Sequence, residues 1–233
     1  MNKLWAALVF VAAVIFAAGP VLFPGFAGFA PDAFPVPQDN PPVQPAGYTF
    51  AIWGLIYLWL VAGTGFGLFR RAEDPDWQPH RKPLLLSLAV GVIWLPVAQL
   101  SPIAATVLIW VMLVSALIAL FLAGDMDRWL QTSPLAVYAG WLTAAASVSI
   151  GLLLAGYGLL PATPAALVGL AIALAIALVI QYRLHRAPLY GITVIWALVG
   201  VIVANSSPLN IAVAGLAVLG IFAILALRGT DTE

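Results

Sequence analysis

The sequence predicts an all-α integral membrane protein of eight transmembrane helices with both ends on the cytoplasmic side. Three observations carry that prediction. The 233 residues are 64% hydrophobic and 8% charged, with a mean hydropathy of +1.07. A soluble domain carries roughly 25% charged residues, so this chain has too few to cover a water-facing surface. The apolar runs are about 17 to 25 residues long, the length of a spanning helix rather than the shorter alternation of a barrel strand. Finally, all nine Lys and Arg residues fall on one side when eight spans are threaded from an inner N-terminus.

The first span, about 4–26, follows the basic Lys3. Its apolar run of about 20 residues exceeds the 7–15 of a secretory signal core, so it reads as a retained helix. The others run over about 48–69, 83–100, 102–123, 134–156, 162–182, 188–204 and 207–227. Pro83, Pro102, Pro134, Pro164, Pro188 and Pro208 stand at or near helix starts, where a missing N–H costs nothing. Threaded this way, Lys3, Arg70, Arg71, Arg81, Lys82, Arg128, Arg183, Arg186 and Arg228 are inside, and the outer side holds only Asp32 and Asp39. A bacterial inner membrane is the expected location. No carboxylate falls within a span, which argues against a proton- or voltage-driven mechanism. Without cysteine there are no disulfides and no thiol chemistry.

Between the first two spans, residues 27–47 form the single long outer loop. Pro31, Pro35, Pro37, Pro41, Pro42 and Pro45 stiffen it, and Phe29 and Phe34 make it apolar. It reads either as a lid over the outer mouth of the bundle or as a stiff connector on the headgroups. The inner loop 70–82 reads as solvated, with Trp77 at the interface. His80 and His185, beside Arg81 and Arg186, read as headgroup contacts. Gly63 and Gly67, and Ala165, Gly169, Ala173 and Ala177, form small-residue stripes that let backbones approach. No duplication of spans 1–4 in spans 5–8 is evident. Trp196 is the only one of nine Trp beyond the fifth span, so the aromatic chemistry belongs to the first five spans and the last three read as scaffold.

Trp53 and Tyr57 are four apart and share a helix face. Tyr57 lies ~14 Å below Tyr48, near the bilayer centre, where a hydroxyl needs a partner. In the fifth span Tyr138, Trp141, Ala145 and Ser149 share a face, two aromatics followed by small residues. The third span contributes Gly91 and Trp94. Such walls, with few polar points, suit a small-molecule site. Straight-helix counting, however, puts Trp53 nearer the outside and Trp141 nearer the inside.

These residues resemble the TspO/translocator proteins, the tryptophan-rich sensory proteins. The resemblance rests on Pro41–Pro42 leading to Trp53…Tyr57, and on Tyr138, Trp141, Ala145 and Ser149 in "YAGWLTAAASVS". At the family's third-helix Asn-x-x-aromatic pair this chain has Gly91 and Trp94. Ala51 replaces a proline, and no acidic residue stands near Trp110. The resemblance covers about residues 1–156 and implies a five-helix bundle there, with residues 157–233 adding three helices and a short tail, as in a longer bacterial branch. It implies binding of porphyrins and of sterol-like ligands, while the departures at Gly91 and near Trp110 make a carotenoid, quinone or sterol-like lipid an equal alternative. Trp53 and Trp141 would face the ligand, with Tyr57, Trp94, Ala145, Tyr138 and Gly91 as walls and Pro41, Pro42 and Phe34 as lid.

The function expected is therefore a membrane sensor or carrier for a hydrophobic planar ligand such as a tetrapyrrole. The alternatives are a structural subunit of a larger pigment or photosynthetic complex and a small-solute transporter. Partners expected are membrane lipid, the hydrophobic small molecule, and a second copy or a membrane-complex partner; nucleic acid is not expected. No catalytic residue is assigned, since no Ser sits within recognisable reach of a His. No His, Cys or carboxylate cluster has metal-ligand spacing.

Overall fold

The computed structural model describes residues 2–24 and 28–229, with side chains through residue 227. Among these residues the regular structure is helical: α1 Asn2–Leu22, α2 Ile52–Phe69, α3 Arg81–Ala98, α4 Pro102–Phe121, α5 Thr132–Gly156, α6 Ala162–Arg183, α7 Pro188–Ala204 and α8 Ile211–Gly229. Six are long and apolar enough to cross a membrane; the last two are apolar and shorter. Proline sets several starts as expected. Pro102 and Pro188 open α4 and α7, and the Ser101 hydroxyl accepts from the Ala104 amide at 3.2 Å to cap α4. Pro83, Pro134 and Pro164 fall in first turns, where N–H groups have no intrahelical acceptor. The outer end of the predicted first span reaches residues 25–27, outside the described residues.

The first five helices close a ring. α1 packs on α2 and α3, α3 on α4, α4 on α5, and α5 on α2. α6 and α7 pack on the far side of α5, and α8 covers both of them. α5 is therefore central, and 19 of its 25 residues are buried, which is why it reads as apolar all round. Small residues make these crossings possible. A Cβ on Gly140 would lie 2.6 Å from the Tyr190 carbonyl oxygen of α7, and one on Gly169 would lie 2.9 Å from the Ser147 oxygen of α5. Gly63 and Gly67 serve a different purpose from a helix–helix face. Gly63 lies against the Leu130 carbonyl of the α4–α5 loop, and a Cβ on Gly67 would lie 2.7 Å from Trp77 Cε3.

The expected solvated loop between α2 and α3 is instead packed. Trp77, His80 and Arg81 are each at most 3% exposed. The Arg81 guanidinium caps the end of α2, donating to the carbonyls of Ala72 at 2.7 Å, Arg71 at 2.8 Å and Gly67 at 3.2 Å. Trp77 donates its indole N–H to Asp127 at 2.9 Å, and His80 Nδ1 lies 3.1 Å from Gln131 Nε2. Neither Trp77 at the interface nor His80 as a headgroup contact survives. Sequence counting saw mixed charge there, while the polar groups are spent on one another.

Candidate functional site

The ring encloses a cavity of two joined lobes. The larger, about 380 Å³, is lined from α1 by Phe16 and Pro20, just after it by Phe23, from α2 by Trp53 and Tyr57, and from α3 by Gly91, Trp94 and Leu95. The smaller, about 70 Å³, lies under the first loop against Phe29, Gln44, Pro45, Ala144, Val148 and Ser149. Phe50, Trp94, Ile109, Trp141 and Ala145 line both lobes.

Its walls are rings at right angles. Trp53 stacks on Tyr57 with centroids 5.2 Å apart and planes 18° apart. Trp141 meets Trp53 edge-on at 6.2 Å and Phe50 edge-on at 5.6 Å. Phe16 stands edge-on to Tyr57 at 5.2 Å and to Trp53 at 6.0 Å. These are favourable aromatic geometries. The depth mismatch counted between Trp53 and Trp141 does not hold, since the two rings meet at 6.2 Å. The 3₁₀ turn Gly47–Ala51 packs against α7, and α5 begins at Thr132, two residues or ~3 Å before Pro134.

The loop is docked, not draped. The Phe34 ring packs against Gly156 and lies 6.3 Å, edge-on, from Tyr157. The Val36 amide donates to the Gly156 carbonyl at 2.8 Å. Val43 is buried, 2.8 Å from a Cβ placed on Gly151. On α7, Asn205 Nδ2 donates to the Pro42 carbonyl at 2.8 Å and Trp196 Nε1 to the Thr49 carbonyl at 3.0 Å. The Gly200 carbonyl accepts from the Ala46 amide at 3.0 Å. Thus Phe34, Pro41 and Pro42 line neither lobe; they fix the loop, and Phe29, Gln44, Pro45 and Phe50 face the cavity.

Of the wall residues read from the sequence, Trp53, Tyr57, Gly91, Trp94, Trp141 and Ala145 line the cavity and Tyr138 does not. Tyr138 is fully buried between α3 and α5, its hydroxyl 2.9 Å from Ser87 Oγ, which donates in turn to the Met112 carbonyl. Its α5 neighbours at i+3 and i+7 turn to the cavity while the first residue of the stripe points into the α3 interface. Phe16 was not singled out by sequence. Its signal was a lone aromatic on the small-residue face of α1 formed by Val9, Ala12, Ala13 and Gly19. Gly91 makes room for it: a Cβ there would lie 2.5 Å from Phe16 Cε2 and 3.0 Å from Met112 Cε.

Polar points in the cavity are few. Trp94 Nε1 donates to the Ala105 carbonyl at 2.9 Å. Ser149 Oγ donates to the Ala146 carbonyl at 2.8 Å. The buried indole N–H of Trp141 finds no acceptor among the described residues. A buried donor left unpaired in this way is costly.

An internal aromatic cavity, roofed by a docked proline-rich loop and enclosed by apolar spanning helices, defines an integral membrane helical bundle with a built-in ligand-sized chamber. The family described as TSPO-like protein matches over residues 36–228, and the chain belongs to that family. The match runs from the first loop through α8, further than the first five helices to which the sequence motifs pointed. No curated protein and no solved structure matches the chain.

Proposed function

We propose that the protein is a membrane sensor or carrier that binds a planar hydrophobic ligand of the porphyrin class in the cavity of the first five helices. The carrying observation is the contiguous aromatic wall of Phe16, Phe50, Trp53, Tyr57, Trp94 and Trp141 around about 380 Å³, within the usual range of small-molecule sites. Stacked and edge-on rings favour a flat π-system over a branched aliphatic one. Eight membrane spans with both termini cytoplasmic complete this reading, placing the roofed mouth on the outer face.

Membership of the TSPO-like family supports a sensor or carrier role. The test is a Soret-band titration of a dicarboxylic porphyrin against the purified protein, beside a carotene of similar size. A saturable red shift for the porphyrin, weakened about tenfold in Trp141→Phe by loss of the larger indole wall, is expected. No shift with the wild type, or equal retention of the carotene, would refute the reading.

A further inference from the structure

A second cavity lies far from the first, where the α4–α5 loop meets the N-terminal ends of α5 and α7. We propose that it holds the phosphate of an anionic phospholipid, with an acyl chain lying along α7. The cavity measures about 470 Å³ and is lined by Arg128, Arg186, Thr132, Ser133, Trp129 and Leu189, among others, with no carboxylate in its wall. Arg128 Nη2 donates to the Arg186 carbonyl at 2.9 Å, and Arg128 pairs with no carboxylate among the described residues. Arg186 is spent largely on the end of α4, donating from Nη1 to the Ala123 carbonyl at 2.7 Å and from Nη2 to the carbonyls of Phe121 at 3.0 Å and Leu120 at 3.4 Å, so it contributes charge rather than a free fork. Its one acidic partner, Asp125 at 2.9 Å, is 73% exposed and so neutralises it weakly. The Ser133 hydroxyl makes no hydrogen bond among the described residues and is available to an acceptor. Two helix N-termini add positive dipole ends to the same space. The Arg128 guanidinium, the charge of Arg186, a hydroxyl and helix starts together match a phosphodiester.

The surroundings say which phosphate. Trp129 and Met126 are 72% and 67% exposed at this end of the bundle, as interfacial anchors are. From Leu189 in the cavity wall, Ile192, Trp196 and Val199 continue along one face of α7, and those three stay 37–44% exposed. That stripe rises ~10 Å before it reaches the contact of Trp196 with the first loop. A basic pocket opening onto a long apolar track fits an amphiphile with a negative head; a free phosphate would leave the track unused.

The test uses the full chain, delipidated in detergent, and native mass spectrometry with phosphatidylglycerol, phosphatidylcholine of the same acyl chains, and inorganic phosphate. Phosphatidylglycerol should be retained about tenfold over phosphatidylcholine. Arg128→Gln should erase the preference and Arg183→Gln, on another surface, should keep it. If Arg128→Gln does not fold, the wild type still decides. Phosphatidylglycerol with brominated chains should quench tryptophan fluorescence more than brominated phosphatidylcholine, and Trp196→Phe should reduce that difference. Equal retention or quenching for the two lipids, or a preference that persists in Arg128→Gln, would overturn the proposal. So would inorganic phosphate binding as tightly as the lipid, which would make the occupant a free anion.

Discussion

Gly200 and Asn205 show how far single residues of α7 reach into the cavity's roof. A side chain on Gly200 would meet Thr49, and its Cβ would lie 3.0 Å from Pro45 Cβ. Gly200→Val should therefore push the 3₁₀ turn off α7. Asn205→Ala removes the bond to the Pro42 carbonyl, worth about 1 kcal/mol. Amide hydrogen exchange at Gln44, Ala46 and Thr49 should speed up roughly fivefold in Asn205→Ala and more in Gly200→Val. Unchanged exchange would mean that the loop is held by its other anchors, Phe34, Val36, Val43 and the bond from Trp196. Ala145 tests the cavity without touching its aromatic walls. It lines both lobes and is half-buried, so Ala145→Phe should fill the space between Trp94 and Trp141. The variant should fold with a stability change of about 1–3 kcal/mol and lose porphyrin binding. Sequence reasoning reached Trp53, Tyr57, Trp94, Trp141 and Ala145 because aromatic spacing on a helix is a local property. It missed Phe16, Gly200 and Asn205 because their value comes from what the fold sets opposite them.

Helices and loops carry the next set of consequences. The α4–α5 loop is locked to the end of α2 by Asp127, which accepts from Arg71 Nε at 2.8 Å and from Trp77 Nε1 at 2.9 Å. The hydrogen bond from Arg71 holds the Asp127 carboxyl below the usual carboxylate range; desolvation opposes it, and the Trp77 N–H and the Arg71 charge add smaller effects in the lowering direction. A carboxylate lowered in the folded state adds stability above its unfolded pKa, and that stability is lost as pH falls through the folded value. Thermal stability in detergent should then decline as pH drops below about 4, the ordinary Asp value, and Asp127→Asn should flatten that part of the profile. An identical decline in the variant would assign it to other carboxylates. Helix boundaries were the most legible feature: prolines and apolar runs put all eight within a few residues. The loop 70–82 was the least legible. Its mixed charge looks solvated until Arg81 is seen capping α2 and Trp77 is seen filling the space that Gly67 leaves.

The molecule as a whole depends on α5 belonging to two assemblies at once. One side completes the ring around the cavity; the other carries α6 and α7, and α7 in turn anchors the loop that roofs the cavity. The aromatic half of the chain and the aliphatic half are thus mechanically one unit, although composition separates them. A chain ending near residue 160 should expose the Gly140 and Gly151 faces of α5 and free the loop. It should not give a monodisperse product on size-exclusion chromatography in detergent; a stable, porphyrin-binding fragment would contradict this dependence. Hydropathy and charge bias made the membrane bundle legible, but the ring order could not be read, because small-residue stripes state that a helix packs closely without naming its neighbour. The most direct test of the central claim is a tryptophan-quenching titration with a dicarboxylic porphyrin on the wild type, Trp53→Phe and Trp141→Phe. The account predicts saturable one-to-one quenching in the wild type, with amplitude and affinity falling in both variants. Quenching that is identical in all three, or that never saturates, would contradict it.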